Sequence, residues 1–317
     1  MSLPDILALR GLHPYYLKAL ASRFHVHVDP RPEDSAAFAA LAPRVVGLAA
    51  SGESKVPMAL MEQLPALKVV SVFGVGYDGV DIGAARDRGI AVTHTPGVLS
   101  DDVADLALAL MLAVARHIPR ADQHVRAGRW PQGGLPLGRK VSGARLGIVG
   151  MGRIGQAIAQ RAAAFGMSIA YTTRTEKPGT GYRYVPSARA LAAEVDFLVV
   201  ITPGGSATRH LINAEVLTAL GPEGYLINVA RGSVVDEDAL VAALANGAIA
   251  GAGLDVFANE PHVPEALWDM PNVVLTPHMA SATVQTRQAM ADLAFANMVA
   301  GAEGKPVLTM VPELKPA

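Results

Sequence analysis

The chain has 317 residues, 51% of them hydrophobic, with 27 Lys and Arg set against 28 Asp and Glu. That length can build two separate cores, and an even charge balance without a basic run argues against a nucleic-acid partner. Cysteine is absent, which excludes disulfides, thiolate metal sites and a cysteine nucleophile.

The opening stretch MSLPDILALRG lacks the basic-then-apolar pattern of a signal peptide. HVHV (25–28), VVGLAAS (45–51), LKVVSVFGVG (67–76) and IAVTHTPG (90–97) read as strands, whereas VPMALMEQLP (56–65) and DIGAARDRG (81–89) read as helices. Apolar strands alternating with helices imply a parallel sheet covered on both faces. A helix is predicted over 101–118, opening at Ser100-Asp101-Asp102 with acids in its first turn. Its middle is apolar nearly all round and should be buried. The run VADLALALMLAVA (103–115) is interrupted by Asp105 and is too short to span a bilayer, so a soluble, cytoplasmic protein is expected, with no membrane partner. The Gly- and Pro-rich stretch 127–143 reads as loop. Strands are then predicted at 145–150, 168–173, 196–201, 224–229, 251–256 and 272–276, with helices between them. The helix from Arg153 should stop at Gly166, and one capped by Asp236 should stop at Gly247. The fold class is α/β, built as two doubly wound parallel-sheet domains.

RLGIVGMGRIGQAIA (145–159) sets Gly150, Gly152 and Gly155 in G-x-G-x-x-G spacing after a strand and into a helix. That context makes it a dinucleotide fingerprint: a tight turn, a close approach to pyrophosphate, and close helix–strand packing. In an open parallel sheet, ligands bind beyond the carboxyl ends of the strands. Along that rim the sequence places TTRTEK (172–177), TPGGSATRH (202–210), ARGS (230–233), Asp255 and Pro277-His278. Arg231, Glu260 and His278 therefore converge. Arginine can fork onto a carboxylate, histidine can protonate a developing alkoxide, and a carboxylate beside the histidine keeps it oriented and raises its pKa. Taken singly, each has a bland alternative: a surface ion pair for Arg231, a solvated loop acid for Glu260, a turn cap for His278. Together behind a dinucleotide loop they suit reduction of a 2-oxo acid.

The second strand of this half also bears on the cofactor. Where an NAD enzyme places an acid for the ribose 2′-OH, this chain has Thr172. Arg174 can fork onto a 2′-phosphate, the hydroxyls of Thr173 and Thr175 can donate to it, and Lys177 adds charge; Glu176 argues the other way. NADPH is expected over NADH. The alternative, a polar loop with no preference, predicts equal use of both.

GIVGMGRIG, LINVARGSVVDEDAL, GAGLDVFANEP and NVVLTPHMASAT together resemble the D-isomer-specific 2-hydroxyacid dehydrogenases, and most closely their glyoxylate/hydroxypyruvate reductase branch, which includes hydroxyphenylpyruvate reductases. The likeness runs over roughly 45–300. It implies a Rossmann cofactor domain over 99–284, a flavodoxin-like substrate domain from 1–98 with 285–317, and a cleft between them. It implies Arg231 as carboxylate binder, Glu260 as partner of the histidine, and His278 as general acid/base. Asp255 would contact the nicotinamide end. The cofactor set would comprise Gly150, Gly152, Arg153, Ile154, Gly155, Thr172, Thr173, Arg174, Thr175, Thr202, Pro203, Thr208, Val229, Ala230, Asp255, His278 and Ala280, with no metal. Substrate would meet Ser51, Phe73, the N–H groups of Val75 and Gly76, Arg231 and His278, with Trp130 or Leu135 reaching in from a partner subunit. TPGVLSDDVADLAL (95–108) resembles the interdomain helix that contributes to a homodimer. Many relatives have glycine where this chain has Ala280, a departure common in the reductase branch. With the sequence ending at Ala317, the regulatory domain of many phosphoglycerate dehydrogenases is not expected. Glu260 stands where formate dehydrogenases have glutamine, which favours ketone chemistry. Two other readings remain open here: a dinucleotide-sensing corepressor-like binding protein, and an NAD-preferring dehydrogenase of different substrate range.

Overall fold

The computed structural model describes residues 3–29 and 35–315. The chain divides into two compact units, one formed by the sequence up to Leu99 together with that from Ser281 on, the other by Ser100–Ala280.

The first unit opens with β1 (Asp5–Ala8), α1 (Pro14–Ala21), β2 (His25–Val28), α2 (Ser35–Leu41), β3 (Val45–Ser51), α3 (Met58–Glu62), β4 (Val69–Phe73), α4 (Ile82–Asp87) and β5 (Ala91–Thr93). Its strands are all parallel, in the order β2-β1-β3-β4-β5. This is the flavodoxin-like order, with its reversal between β1 and β3. β4 is buried along its whole length because helices cover both faces, as the unbroken apolar run VVSVF requires. β1 and α1 went unread in the sequence. β1 is four residues long, too short to establish a period, and α1 starts at a proline whose preceding residue, His13, caps it by accepting from the Tyr15 N–H.

The second unit begins with α5 (Ser100–Ala115) and α6 (Ile118–Arg126). The helix expected to reach residue 118 stops earlier. His117 adopts φ +52°, Pro119 follows, and the chain restarts in a new direction. Then come β6 (Arg145–Val149), α7 (Arg153–Ala164), β7 (Ser168–Thr172), β8 (Arg183–Tyr184), α8 (Ala188–Ala192), β9 (Phe197–Val200), α9 (Ala214–Leu220), β10 (Tyr225–Asn228), α10 (Glu237–Ala245), β11 (Gly251–Leu254) and β12 (Val273–Leu275). All seven strands are parallel, ordered β12-β11-β10-β9-β6-β7-β8. The order reverses between β6 and β9, the point at which a doubly wound sheet receives its ligand. α5 lies on β10, β11 and β12, as its apolar circumference demands. Gly253 lets it come close, since a Cβ there would stand 2.9 Å from the Leu110 Cβ. Asp236 caps α10 by accepting from the Ala239 N–H at 3.2 Å.

The last helix, α11 (Val284–Ala302), belongs to the first unit and packs on α1, β3 and β4. Small residues seat it: Gly301 lies on Val69, where a Cβ would meet the valine Cβ at 2.5 Å, and Gly47 faces Met298. Among the described residues no helix is long and apolar enough to cross a membrane.

Candidate active site

The glycine loop between β6 and α7 explains its own spacing. Gly150 has φ +110°, and a Cβ on it would lie 2.7 Å from the Ile201 carbonyl oxygen beyond β9. A Cβ on Gly155 would run into the Gly150 carbonyl oxygen, so helix and strand touch only because that residue is glycine. Gly152 differs: nothing stands within 4 Å of where its Cβ would be. As N-cap it offers no side-chain acceptor to the first turn of α7, whose N–H groups stay available to an anion. A bare, outward-facing glycine at a helix N-terminus fits a pyrophosphate. Arg153 is exposed and Ile154 half-buried beside it.

Thr172 ends β7, buried, with its carbonyl accepting from the Gly150 N–H at 2.9 Å. The following loop is closed by its own hydrogen bonds. Tyr171 Oη donates to the Lys177 carbonyl and accepts the Lys177 N–H, and Thr173 Oγ1 donates to the Thr175 carbonyl at 2.7 Å. The Thr173 hydroxyl is therefore already committed, contrary to the expectation that it donates to a phosphate. Arg174, Thr175 and Lys177 are exposed on this braced loop. After β9, Thr202 is half-buried and Pro203 exposed, and Thr208 Oγ1 donates to the Pro203 carbonyl at 2.7 Å, bracing the turn. Val229 and Ala230 are buried.

Arg231 is held by a residue that the sequence reading passed over. Asn228, buried at the end of β10, donates from Nδ2 to the Arg231 carbonyl at 3.1 Å and accepts the Ala230 N–H on Oδ1. Its only local signal is a polar side chain closing an apolar strand. Gly232 then packs so closely on the Phe257–Ala258 backbone that a Cβ would overlap it. The Arg231 loop and the Glu260 loop are thereby joined. Glu260 Oε1 accepts the Phe257 N–H at 2.9 Å, and Oε2 lies 2.7 Å from His278 Nδ1. Burial alone would raise the Glu260 pKa. Hydrogen bonds from His278 and the Phe257 N–H, with the charges of His278 and Arg231, outweigh it and hold the carboxyl below its usual range.

Asp255 directly follows β11. It is wholly buried, and its oxygens accept from Thr276 Oγ1 at 2.6 Å, the Met279 N–H at 2.8 Å and the Ala280 N–H at 2.9 Å. Its own carbonyl accepts the His278 N–H at 2.8 Å. It anchors the turn in which His278 takes φ +48°, a backbone state that non-glycine residues adopt only when surrounding bonds impose it. The Ala280 N–H is consumed in the same anchor. Burial pushes the Asp255 carboxyl up, against the pull of those three donors.

In the first unit the expected substrate residues stand at the carboxyl ends of β3 and β4. Ser51 is turned inward on its own loop, with Oγ 3.0 Å from Ser54 Oγ. Phe73 is 5% exposed, stacked with Tyr16 and His13 and covered by the Arg287 guanidinium 5.7 Å from the ring centroid. It is a packed support rather than an open pocket wall, because the histidine and arginine occupy its faces. Val75 and Gly76 are half-buried, and neither N–H has an acceptor among the described residues.

A nucleotide-cradling glycine turn and a carboxylate–histidine pair on the rim of a doubly wound sheet define a dinucleotide-dependent oxidoreductase. The family model described as D-isomer specific 2-hydroxyacid dehydrogenase, NAD binding domain, matches residues 108–280. A hydroxyphenylpyruvate reductase of Plectranthus scutellarioides is 47% identical, covering 96% of this chain and 98% of its own. A 2-ketogluconate reductase of Gluconobacter oxydans is 45% identical, covering 98% and 99%. The structure of an NADPH-dependent glyoxylate/hydroxypyruvate reductase of Sinorhizobium meliloti, in complex with NADP and malonate, superposes with a TM-score of 0.92 at 50% identity, over 99% of this chain and 98% of that one. The chain belongs to the D-isomer-specific 2-hydroxyacid dehydrogenase family, in its glyoxylate/hydroxypyruvate reductase branch.

Proposed function

We propose that the protein reduces a small 2-oxo acid of the hydroxypyruvate or glyoxylate type to the D-2-hydroxy acid, with NADPH preferred over NADH. The observation that carries this reading is the 2.7 Å contact between His278 Nδ1 and Glu260 Oε2. An ionised carboxylate only accepts, so the Nδ1 proton belongs to that bond and Nε2 is the nitrogen left to act as general acid. When bound, the nicotinamide supplies hydride to the substrate carbonyl carbon; His278 gives its Nε2 proton to the carbonyl oxygen. Glu260 holds the imidazolium in orientation, and the Asp255 anchor keeps the histidine backbone in place. Arg231 forks onto the substrate carboxylate, with the Val75 and Gly76 N–H groups as further donors to it.

Gly150, Gly152 and Gly155 would cradle the pyrophosphate, with Arg153 and Ile154 on the first turn of α7. Thr172 at the end of β7 leaves no carboxylate to repel a 2′-phosphate, and Arg174, exposed on its braced loop, would pair with one. The printed description of the Sinorhizobium meliloti relative, NADPH-dependent and in complex with NADP, supports this choice. The exposed side chains of Ile118, Val125, Trp130 and Leu137 support a homodimer built on this stretch. The test is initial-rate reduction of glyoxylate, hydroxypyruvate, an arylpyruvate and 2-ketogluconate, each with NADPH and NADH. Turnover of none of them defeats the reading; turnover with NADH preferred defeats the cofactor assignment alone.

A further inference from the structure

The first unit contains a hydrogen-bond chain that ends on the two peptides just named as carboxylate donors. The Thr95 N–H donates to the Gly74 carbonyl at 2.8 Å. His94 Nδ1 lies 3.0 Å from the Val75 carbonyl oxygen. A carbonyl only accepts, so Nδ1 carries the proton in this contact. Both peptides are trans. In a planar trans peptide the N–H points opposite to the C=O. Pinning the carbonyls of Gly74 and Val75 on the β5 side therefore turns the N–H groups of Val75 and Gly76 to the other side, where two successive N–H donors form a small anion-binding concavity.

His94 is itself clasped from far along the chain. Its N–H donates to the Thr309 carbonyl at 3.2 Å, and Thr309 Oγ1 donates back to the His94 carbonyl at 2.6 Å. Thr309 Oγ1 in turn accepts from Asn297 Nδ2 at 2.7 Å, while Asn297 Oδ1 accepts the Leu308 and Thr309 N–H groups at 2.9 and 3.0 Å. Asn297 is fully buried on α11, so the clasp is fixed to the body of the unit. The Tyr77 ring meets the His94 ring edge-on, with centroids 5.3 Å apart. Nothing about packing requires a ring N–H at this point. An apolar side chain would fill the same space without pinning the peptide.

We propose that His94 is a positioning residue for substrate binding: clasped by Thr309 and Asn297, its ring N–H holds the Val75–Gly76 peptide with its own N–H turned toward the substrate carboxylate. This rests on the functional reading above. The carboxylate is present in both ground and transition states, so the loss should fall on KM rather than kcat.

The experiment compares His94→Ala, His94→Asn and Thr309→Val at saturating NADPH, reading glyoxylate KM, kcat, the inhibition constant of oxamate, NADPH affinity and Tm. Asparagine places an amide N–H where the imidazole has Nδ1. In His94→Ala, glyoxylate KM and oxamate Ki should rise together by roughly 3- to 10-fold, the worth of one net hydrogen bond, with kcat and NADPH affinity little changed. His94→Asn should restore most of that loss. Wild-type KM in His94→Ala overturns the proposal, as does an equal loss in His94→Asn. Should His94→Ala not fold, Thr309→Val carries the test: a rise in KM and Ki supports the clasp, and wild-type values overturn it. A wild type that turns over no 2-oxo acid defeats the functional reading and this inference with it. One that does so while His94→Ala keeps its KM defeats only the role of His94.

Discussion

His278 stands on a left-handed backbone turn, tied by its own N–H and the two that follow it to a single buried aspartate. Such an arrangement fixes where Nε2 points without using the ring itself. His278→Gln keeps a polar side chain but no titrating acid, and kcat should fall by ~10²–10⁴ while NADPH affinity changes by no more than a few-fold. Normal kcat in the purified variant would return the histidine to a structural role. Glu260 tests the pair from the other side. His278 helps hold the Glu260 carboxyl below its ordinary range, and coupling between two sites is reciprocal, so Glu260 helps His278 keep its proton. On the mechanism proposed above, reduction requires the protonated form and fails as pH rises through its loss. Glu260→Gln should therefore move the alkaline limb of the kcat/KM profile to lower pH, and an unmoved limb would separate the two residues functionally. For the cofactor, Arg174→Ala should weaken NADPH binding by roughly 10- to 150-fold, the worth of a hydrogen bond to a charged group, while NADH is nearly unaffected. Equal losses for both cofactors would sink the phosphate assignment.

At the scale of the element, position is set by close contacts that only glycine permits. The 3₁₀ turn Gly232–Val234 lies directly on the backbone of Phe257 and Ala258. Gly232→Ala should cost roughly 3 kcal/mol of stability, because backbone rather than a flexible side chain must yield, and it should lower activity by displacing Arg231. Urea unfolding and glyoxylate kinetics on the same preparation check both; a variant as stable as wild type would mean that the two loops can separate freely. The strands were legible in the sequence wherever an apolar run was long enough to show its period, as at β3, β4, β6 and β10. The glycine loop was legible because its spacing, the strand before it and the helix after it are contiguous. Other features were not. The early end of α5 at Ala115 was not legible, because it is set by the left-handed backbone of His117 rather than by a glycine, and Pro119 alone would let the helix run on toward residue 118. The anchoring role of Asp255 was not legible, because its donors, Thr276 Oγ1 and the N–H groups of Met279 and Ala280, lie more than twenty residues further along and only the folded turn brings them to it. The His94 clasp joins residues 215 positions apart, and no local pattern announces a partner at that distance.

At the scale of the whole molecule, the stretch from α6 to Leu137 leaves several large apolar side chains exposed. Trp130 is 68% exposed and Leu137 97%, on a chain whose charged residues are only 17% of the total. The homodimer proposed above, with a second copy of the chain covering this stretch, would account for all four exposed apolar side chains at once. Light scattering should return the mass of a dimer for the wild type, and Trp130→Glu with Leu137→Glu should shift it toward monomer. A wild-type monomer at micromolar concentration would remove the homodimer from this account.

The two units are also unequal in time. The dinucleotide unit is one continuous stretch, Ser100–Ala280, whereas the other is written in two pieces on either side of it. On a growing chain, β3 and β4 exist long before α11, the helix whose Gly301 and Met298 rest against them. Until the sequence beyond Ser281 has been made, that face of the sheet stays bare, while the dinucleotide unit already has every residue it needs. The unit begun first during synthesis is the last to close, and the interval between is when the nascent chain most needs protection from aggregation.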